Sequence, residues 1–185
     1  GVKSRGQGDP VLYLSNPDGL SKDSRRASLD DLAKLNEMTL KEFGDPEINT
    51  KIQQYELGYR MQTAVPETMG LERETAETQK LYGLDQPGTR SFGRLCLAAR
   101  RMVERGVRFV QLFHGGGGGG AWDAHGAIKK NHTDLSAQVD LPIRGLLRDL
   151  RRRGMLRDTM VVWGTEFGRS PGAQGDGRDH HPQGF

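Results

Sequence analysis

Carboxylate and imidazole side chains concentrate at three places in the second half of this 185-residue chain. Hard carboxylate oxygens combined with imidazole nitrogens suit zinc, manganese or iron(II) better than calcium or magnesium. The three clusters therefore predict a divalent-metal site, in which we expect one or two ions, with zinc or manganese as the metal. The six candidate ligands are Asp123, His125, Glu166, Asp179, His180 and His181.

The spacing of these residues limits which of them can share an ion. Asp123 and His125 are separated by one residue, so in an extended loop both side chains point to the same side. Asp179, His180 and His181 are adjacent, so at most two of them should face one ion, and a remaining histidine could support a ligand through a hydrogen bond. The alternative is structural, with Trp122 anchoring the first loop and Asp123 capping a turn.

Two arginines flank the later clusters and suggest an anion beside the metal. The forked guanidinium groups of Arg169 and Arg178 can bind phosphate or sulfate oxygens through paired hydrogen bonds. The alternatives are an ion pair between Glu166 and Arg169, three residues apart, and ordinary surface arginines. The sequence alone leaves both alternatives open.

Two apolar runs are expected to carry the clusters at their carboxyl ends. Residues 107–113 and 159–163 have the composition of strands, and a helix is predicted between them from about Thr133 to Arg153. A strand, helix and strand in this order predict a parallel pair joined by a crossover. In open α/β sheets, ligands bind outside the carboxyl ends of the strands.

The rest of the chain is predicted to be helical. The periodicity of leucines predicts a helix over residues 28–43 that ends at Gly44, and a second helix opening at Asp45-Pro46-Glu47. Phe92 to Val103 has helical spacing and is closed by Gly106. We therefore expect an α/β fold, with a mostly helical flanking region at 1–90 and an α/β portion at 91–185, both parts of one larger domain.

Composition and motifs exclude several classes of function. The net charge of +3 is small against 27 basic and 24 acidic residues, and predicts no nucleic-acid partner. The single cysteine, Cys96, excludes an internal disulfide and is expected to be a buried, inert thiol. No apolar run is long enough to span a membrane. The glycine run 115–120 lacks the ending of a phosphate-binding P-loop, and no Gly-x-Ser-x-Gly motif is present.

Five segments of the sequence together resemble the DUF1501 family, bacterial proteins of the alkaline phosphatase and sulfatase-like superfamily. The resemblance covers nearly the whole chain and is most specific in its second half. It is similar to the middle and later part of the family's domain, so we expect the chain to be a piece of a longer protein. The segments are Asp9–Pro17, Gly106–Leu112, Trp122–His125, Gly164–Arg169 and Gly177–Pro182.

The resemblance implies an α/β fold with a metal site at the strand ends. Members of the superfamily hydrolyse or transfer phosphate and sulfate esters, with a serine, threonine or formylglycine nucleophile that is expected outside this chain. Asp123 and His125 resemble one ligand pair of the superfamily, and His180 or His181 resembles another ligand. Glu166-Phe167 departs from the pattern, because Asp-His is expected there and phenylalanine cannot coordinate a metal. This departure favours a single-metal or degenerate site.

Three hypotheses follow. The first is a metal-dependent hydrolase-like protein acting on small or polymeric phosphate or sulfate esters, with this chain itself inactive. The second is a non-catalytic protein of the same fold that binds sulfated or phosphorylated polymers. The third is a purely structural role without a metal. The resemblance also implies export to the periplasm, usually through a twin-arginine signal. Arg25-Arg26 is not such a signal, because Ser28-Leu29-Asp30-Asp31 follows it and not an apolar stretch.

Overall fold

A computed structural model describes residues 15–115, 121–165, 167–181 and 183–184. The candidate ligand Glu166 lies outside the described residues, as do Pro182 and residues 116–120 of the glycine run. The chain divides into two compact units, Gly1–Gly70 and Leu71–Phe185, and each is described by itself.

The first unit contains two helices, α1 (Lys22–Phe43) and α2 (Glu47–Met69), which pack against each other. The side chain of Ser21 accepts a hydrogen bond from the backbone N–H of Ser24 and so caps the start of α1. The predicted end at Gly44 is confirmed, with that glycine at φ 68°. The predicted opening of the second helix after Pro46 is confirmed as well.

The second unit is built around two long helices, α4 (Pro87–Glu104) and α5 (Ile128–Arg152), with a short helix α3 (Ala76–Leu81) before them. Helices α4 and α5 make the most extensive contact in the unit. Both helices were predicted, although each begins several residues earlier than its apolar pattern indicated. The core includes Tyr82, Phe92, Cys96, Leu97, Val139, Leu146 and Leu150.

The single cysteine lies in this core, as predicted. Cys96 is fully buried on α4 and has no disulfide partner. Burial raises the pKa of its thiol to about 12, because the thiolate would lose its hydration. The thiol is therefore protonated at neutral pH and is a poor nucleophile.

A buried ion network connects α4 to α5. The Arg100 guanidinium, only 1% exposed, lies 2.8 Å from a Glu74 oxygen and 3.0 Å from Asp149 Oδ2, and it donates to Glu104 at 2.6 Å. Burial disfavours the charged guanidinium, but the hydrogen bonds with these acids outweigh burial and raise the pKa of Arg100. The hydroxyl of Tyr82 donates to Asp149 Oδ2 at 3.0 Å. The buried charges are therefore paired, as burial requires.

The prediction of two strands is wrong for the described residues. Residues 107–113 and 159–163 form no strand, and the described chain has one small antiparallel sheet, β1 (Gly168–Arg169) with β2 (His180–His181). Side chains of both runs are exposed, among them Phe109 at 81% and Met160 at 87%. Strand-forming composition signals a segment suited to a sheet, but a strand also needs a paired neighbour.

The described residues are thus mostly helical, with a two-stranded sheet close to the site. No helix in this part of the chain is both long and apolar enough to cross a bilayer.

Candidate metal site

The register of the small sheet decides which histidine enters the site. Arg169 of β1 pairs directly with His180 of β2, and Gly168 pairs with His181. Side chains of directly opposed residues lie on the same face of a sheet, and the next pair points to the other face. Arg169 and His180 therefore share one face, whereas His181 lies on the opposite one.

Asp123 is the centre of the site, because three side-chain nitrogen atoms surround one of its oxygens. Asp123 Oδ1 lies 2.6 Å from Arg169 Nη1, 2.9 Å from His125 Nε2 and 3.1 Å from His180 Nε2. The hydrogen bonds from Arg169 and then His180 hold the pKa of the Asp123 carboxyl below its usual range. The carboxylate is therefore ionised at neutral pH and ready to bind a cation.

Trp122 fixes the loop that carries Asp123 and His125. Its indole Nε1–H donates to His114 Nδ1 at 3.1 Å, and the His114 ring in turn packs edge-on against Phe92 of α4. On its other side Trp122 lies 5.7 Å from the ring of His132, on α5. The structural role predicted for Trp122 as an anchor is confirmed, and it serves the cluster.

Backbone hydrogen bonds hold the second ligand-bearing segment against this loop. The N–H of Arg178 donates to the carbonyl of Ala124 at 3.0 Å, and the N–H of Ile128 donates to the carbonyl of Asp176 at 3.1 Å. Gly177 lies so close that a Cβ there would be 2.1 Å from the carbonyl carbon of His125, so only glycine fits. Segments about 50 residues apart are thus brought into direct contact.

The outer nitrogen of His125 also has an oxygen partner. His125 Nδ1 lies 2.6 Å from Gln174 Oε1, while Nε2 faces Asp123. The ring is therefore held from both sides, and Nε2 is directed toward the point where the other donor atoms meet.

The donor set of Asp123, His125 and His180 fits a divalent metal. One ligand atom from each residue can be chosen so that all three lie within 4.8 Å of one another. Bonds from zinc to nitrogen and oxygen are about 2.0–2.2 Å, so an ion between them requires only small movements of these partly exposed side chains. One carboxylate and two imidazoles are a combination found in catalytic metal sites.

The other predicted ligands lie beside this group. Asp179 Oδ1 is 3.9 Å from His125 Nδ1 and accepts a hydrogen bond from the backbone N–H of His180. His181 turns away from the group, and its Nδ1 is buried without a hydrogen-bond partner among the described residues. Glu166 lies outside the described residues.

The two predicted anion-binding arginines differ in position. Arg169 is engaged with Asp123 at the centre of the site. Arg178 is partly buried, and its Nη1 donates to the carbonyl of Gly177 at 3.0 Å. Arg169 on β1 pairs with His180 across the small sheet, and Arg178 precedes His180 by two residues on its own segment.

Phe167 forms an apolar wall beside His180. Its ring lies 5.0 Å from the ring of His180, in an edge-to-face arrangement. Because phenylalanine has no donor atom, it can restrict the rotation of His180 but cannot bind an ion.

Sequence reasoning missed two residues that support the site. His114 was seen only as the end of a predicted strand, and Gln174 was not singled out. For Gln174 a signal was present, because Gly175, Asp176 and Gly177 mark a tight turn that would bring it back toward the ligand segment.

Comparisons with known proteins give a family assignment. No curated protein and no solved structure matches the chain. The family described as "Protein of unknown function (DUF1501)" matches residues 1–185. Since the match spans the whole chain, the chain belongs to the DUF1501 family.

Proposed function

We propose that this chain holds a divalent metal, zinc or manganese, at Asp123, His125 and His180, and that it serves a hydrolase of phosphate or sulfate esters. One observation carries the proposal. Three metal-binding side chains from two distant segments place their donor atoms within 4.8 Å of one another. The resemblance to the sulfatase-like superfamily supports the choice of ester.

Each residue has a distinct role in this proposal. Asp123, His125 and His180 would hold the ion, which supplies positive charge that polarises an ester and stabilises developing negative charge. Arg169 lies against Asp123 and can donate to oxygens of a tetrahedral anion bound beside it. Arg178 lies two residues before His180 and offers further N–H donors.

We assign no nucleophile among the described residues. Ser170 is the hydroxyl closest in sequence to Arg169, but its Oγ donates to the carbonyl of Gly172 at 3.0 Å. No general base is seen in contact with that hydroxyl, and a serine needs one to attack an ester. The metal site alone is therefore expected to bind an anion without turning it over.

Metal binding and turnover can be measured separately on the purified chain. After removal of bound metal by chelation, calorimetric titration with Zn²⁺ or Mn²⁺ should show one ion per chain, and elemental analysis should agree. Hydrolysis of an aryl phosphate and an aryl sulfate should stay at the level of the buffer. Absence of saturable binding of either metal would refute the proposed site, and metal-dependent turnover by this polypeptide would contradict the lack of a nucleophile.

A second candidate function is binding of sulfated or phosphorylated polymers without catalysis, by an exported protein of the same fold. The position of Phe167 favours it, because an aromatic wall stands where a second metal would need a ligand. Binding of dextran sulfate by the metal-loaded protein, with no esterase activity on a broad substrate panel, would support this candidate over the hydrolase.

A further inference from the structure

We infer that Gln174 is a positioning residue, which fixes the ring of His125 with a hydrogen on Nδ1 and with Nε2 turned toward Asp123. The inference rests on the proposed metal site for its consequence, but the ring geometry can be tested without a metal. It begins from the 2.6 Å contact between Gln174 Oε1 and His125 Nδ1. With the carboxamide oxygen facing the ring, Nδ1 is the nitrogen that carries the hydrogen, because a carboxamide oxygen only accepts hydrogen bonds.

The turn that carries Gln174 is fixed by its own backbone. The N–H of Gln174 donates to the carbonyl of Gly177 at 3.1 Å, and the N–H of Gly177 donates back to Gln174 at 2.9 Å. Between them Gly175 has φ +60°, a conformation that glycine adopts without strain. The contact with His125 is therefore made by a side chain at the base of a closed hairpin, not at the end of a free loop.

The same turn is attached to the loop that carries His125. Gly177 lies against the backbone of His125, and the N–H of Arg178 donates to the carbonyl of Ala124. Gln174 and His125 thus belong to one packed assembly, and their distance is set by backbone contacts.

This arrangement matches the way proteins orient histidine ligands. A histidine that binds a metal through one nitrogen usually donates its other N–H to a carbonyl or carboxylate oxygen, which fixes the ring and raises its basicity. Asp179 Oδ1 also lies near Nδ1, but at 3.9 Å it is beyond hydrogen-bond distance. Gln174 is therefore the residue that directs Nε2 toward the ion.

Three variants test the inference. Gln174→Leu removes the acceptor, Gln174→Glu retains an acceptor of the same length, and Gln54→Leu is a matched control at an exposed position of α2. In metal-free protein with ¹⁵N-labelled histidine, His125 should show a slowly exchanging Nδ1–H signal, identified by its loss in His125→Gln. The signal should persist in Gln174→Glu and in Gln54→Leu and disappear in Gln174→Leu.

Zn²⁺ affinity provides the second readout. Loss of such a supporting partner typically costs about 10–100-fold in metal affinity, and this is the decrease expected for Gln174→Leu. Gln174→Glu should restore the affinity to near that of the unmodified chain, which a merely structural defect would not predict.

The possible outcomes are distinct. A His125 ring without a hydrogen on Nδ1, or a Nδ1–H signal unchanged by Gln174→Leu, would overturn the inference. If the unmodified chain binds no Zn²⁺, the proposed metal function fails, while the nitrogen signals still decide whether Gln174 orients the ring. Equal Zn²⁺ affinities of the unmodified chain and Gln174→Leu would refute the positioning role.

Discussion

Replacement of Asp123 by alanine is expected to lower the affinity for Zn²⁺ more than ~100-fold, because partners that only support a ligand already account for about 10–100-fold. Asp123 is the single carboxylate in the group of three ligands, and its Oδ1 is the atom on which His125, His180 and Arg169 converge. Its removal eliminates a charged ligand, and it also removes the oxygen that His125 and His180 both contact.

Calorimetric titration with Zn²⁺ can isolate this effect from general damage. Asp123→Asn retains the size of the side chain but removes its charge, so it should bind more weakly than the unmodified chain. Asp140→Ala changes an exposed carboxylate on α5 and should leave the affinity unchanged. An affinity of Asp123→Ala within a few fold of the unmodified chain would show that the ion, if any, binds elsewhere.

A decrease to mildly acidic pH should not neutralise the carboxylate of Asp123. Its pKa is lowered by the hydrogen bonds from Arg169 and His180. A carboxyl with a lowered pKa stabilises the fold above the pKa of the unfolded chain, and this contribution is lost only as pH falls through the folded value. The Asp123 carboxylate is thus still charged under mildly acidic conditions.

The sequence could predict that some of these side chains lie close together, because their spacing reflects simple geometry. Asp123 and His125 were expected on one side of a loop, and they do converge. Adjacent histidines were expected to point in opposite directions, and His180 and His181 do so. Which of the two enters the site depends on the register with Arg169, and a register involves a partner segment that the local pattern does not specify.

The end of α1 was predictable for a similar reason, since capping depends on near neighbours. Gly44 ends α1 through its own left-handed conformation. The runs at 107–113 and 159–163 failed as strands because pairing is a long-range event. Gln174 was missed because its role comes from a turn that folds back on His125. The residues Gly175-Asp176-Gly177 signal the turn but not the segment that it will contact.

Replacement of Arg100 by methionine is expected to destabilise the second unit by roughly 3 kcal/mol, the lower end of the 3–5 kcal/mol found when one partner of a buried ion pair is removed. The guanidinium is 1% exposed, and the change would leave Glu74 and Asp149 without it. The lower end applies because Asp149 still contacts Arg153 at 3.0 Å and Glu74 still contacts Arg101.

Urea unfolding would measure this loss, and Arg148→Met, at an exposed position one residue before Asp149, is the matched control that should change stability little. Adding Glu74→Gln to Arg100→Met removes one of the uncompensated carboxylates, so the double variant should lose less than the sum of the single changes. Additive losses would argue that Arg100 stabilises the unit by packing alone.

Because α5 carries His132 against Trp122, a loosened α4–α5 pair should also weaken the anchor of the loop that bears Asp123 and His125.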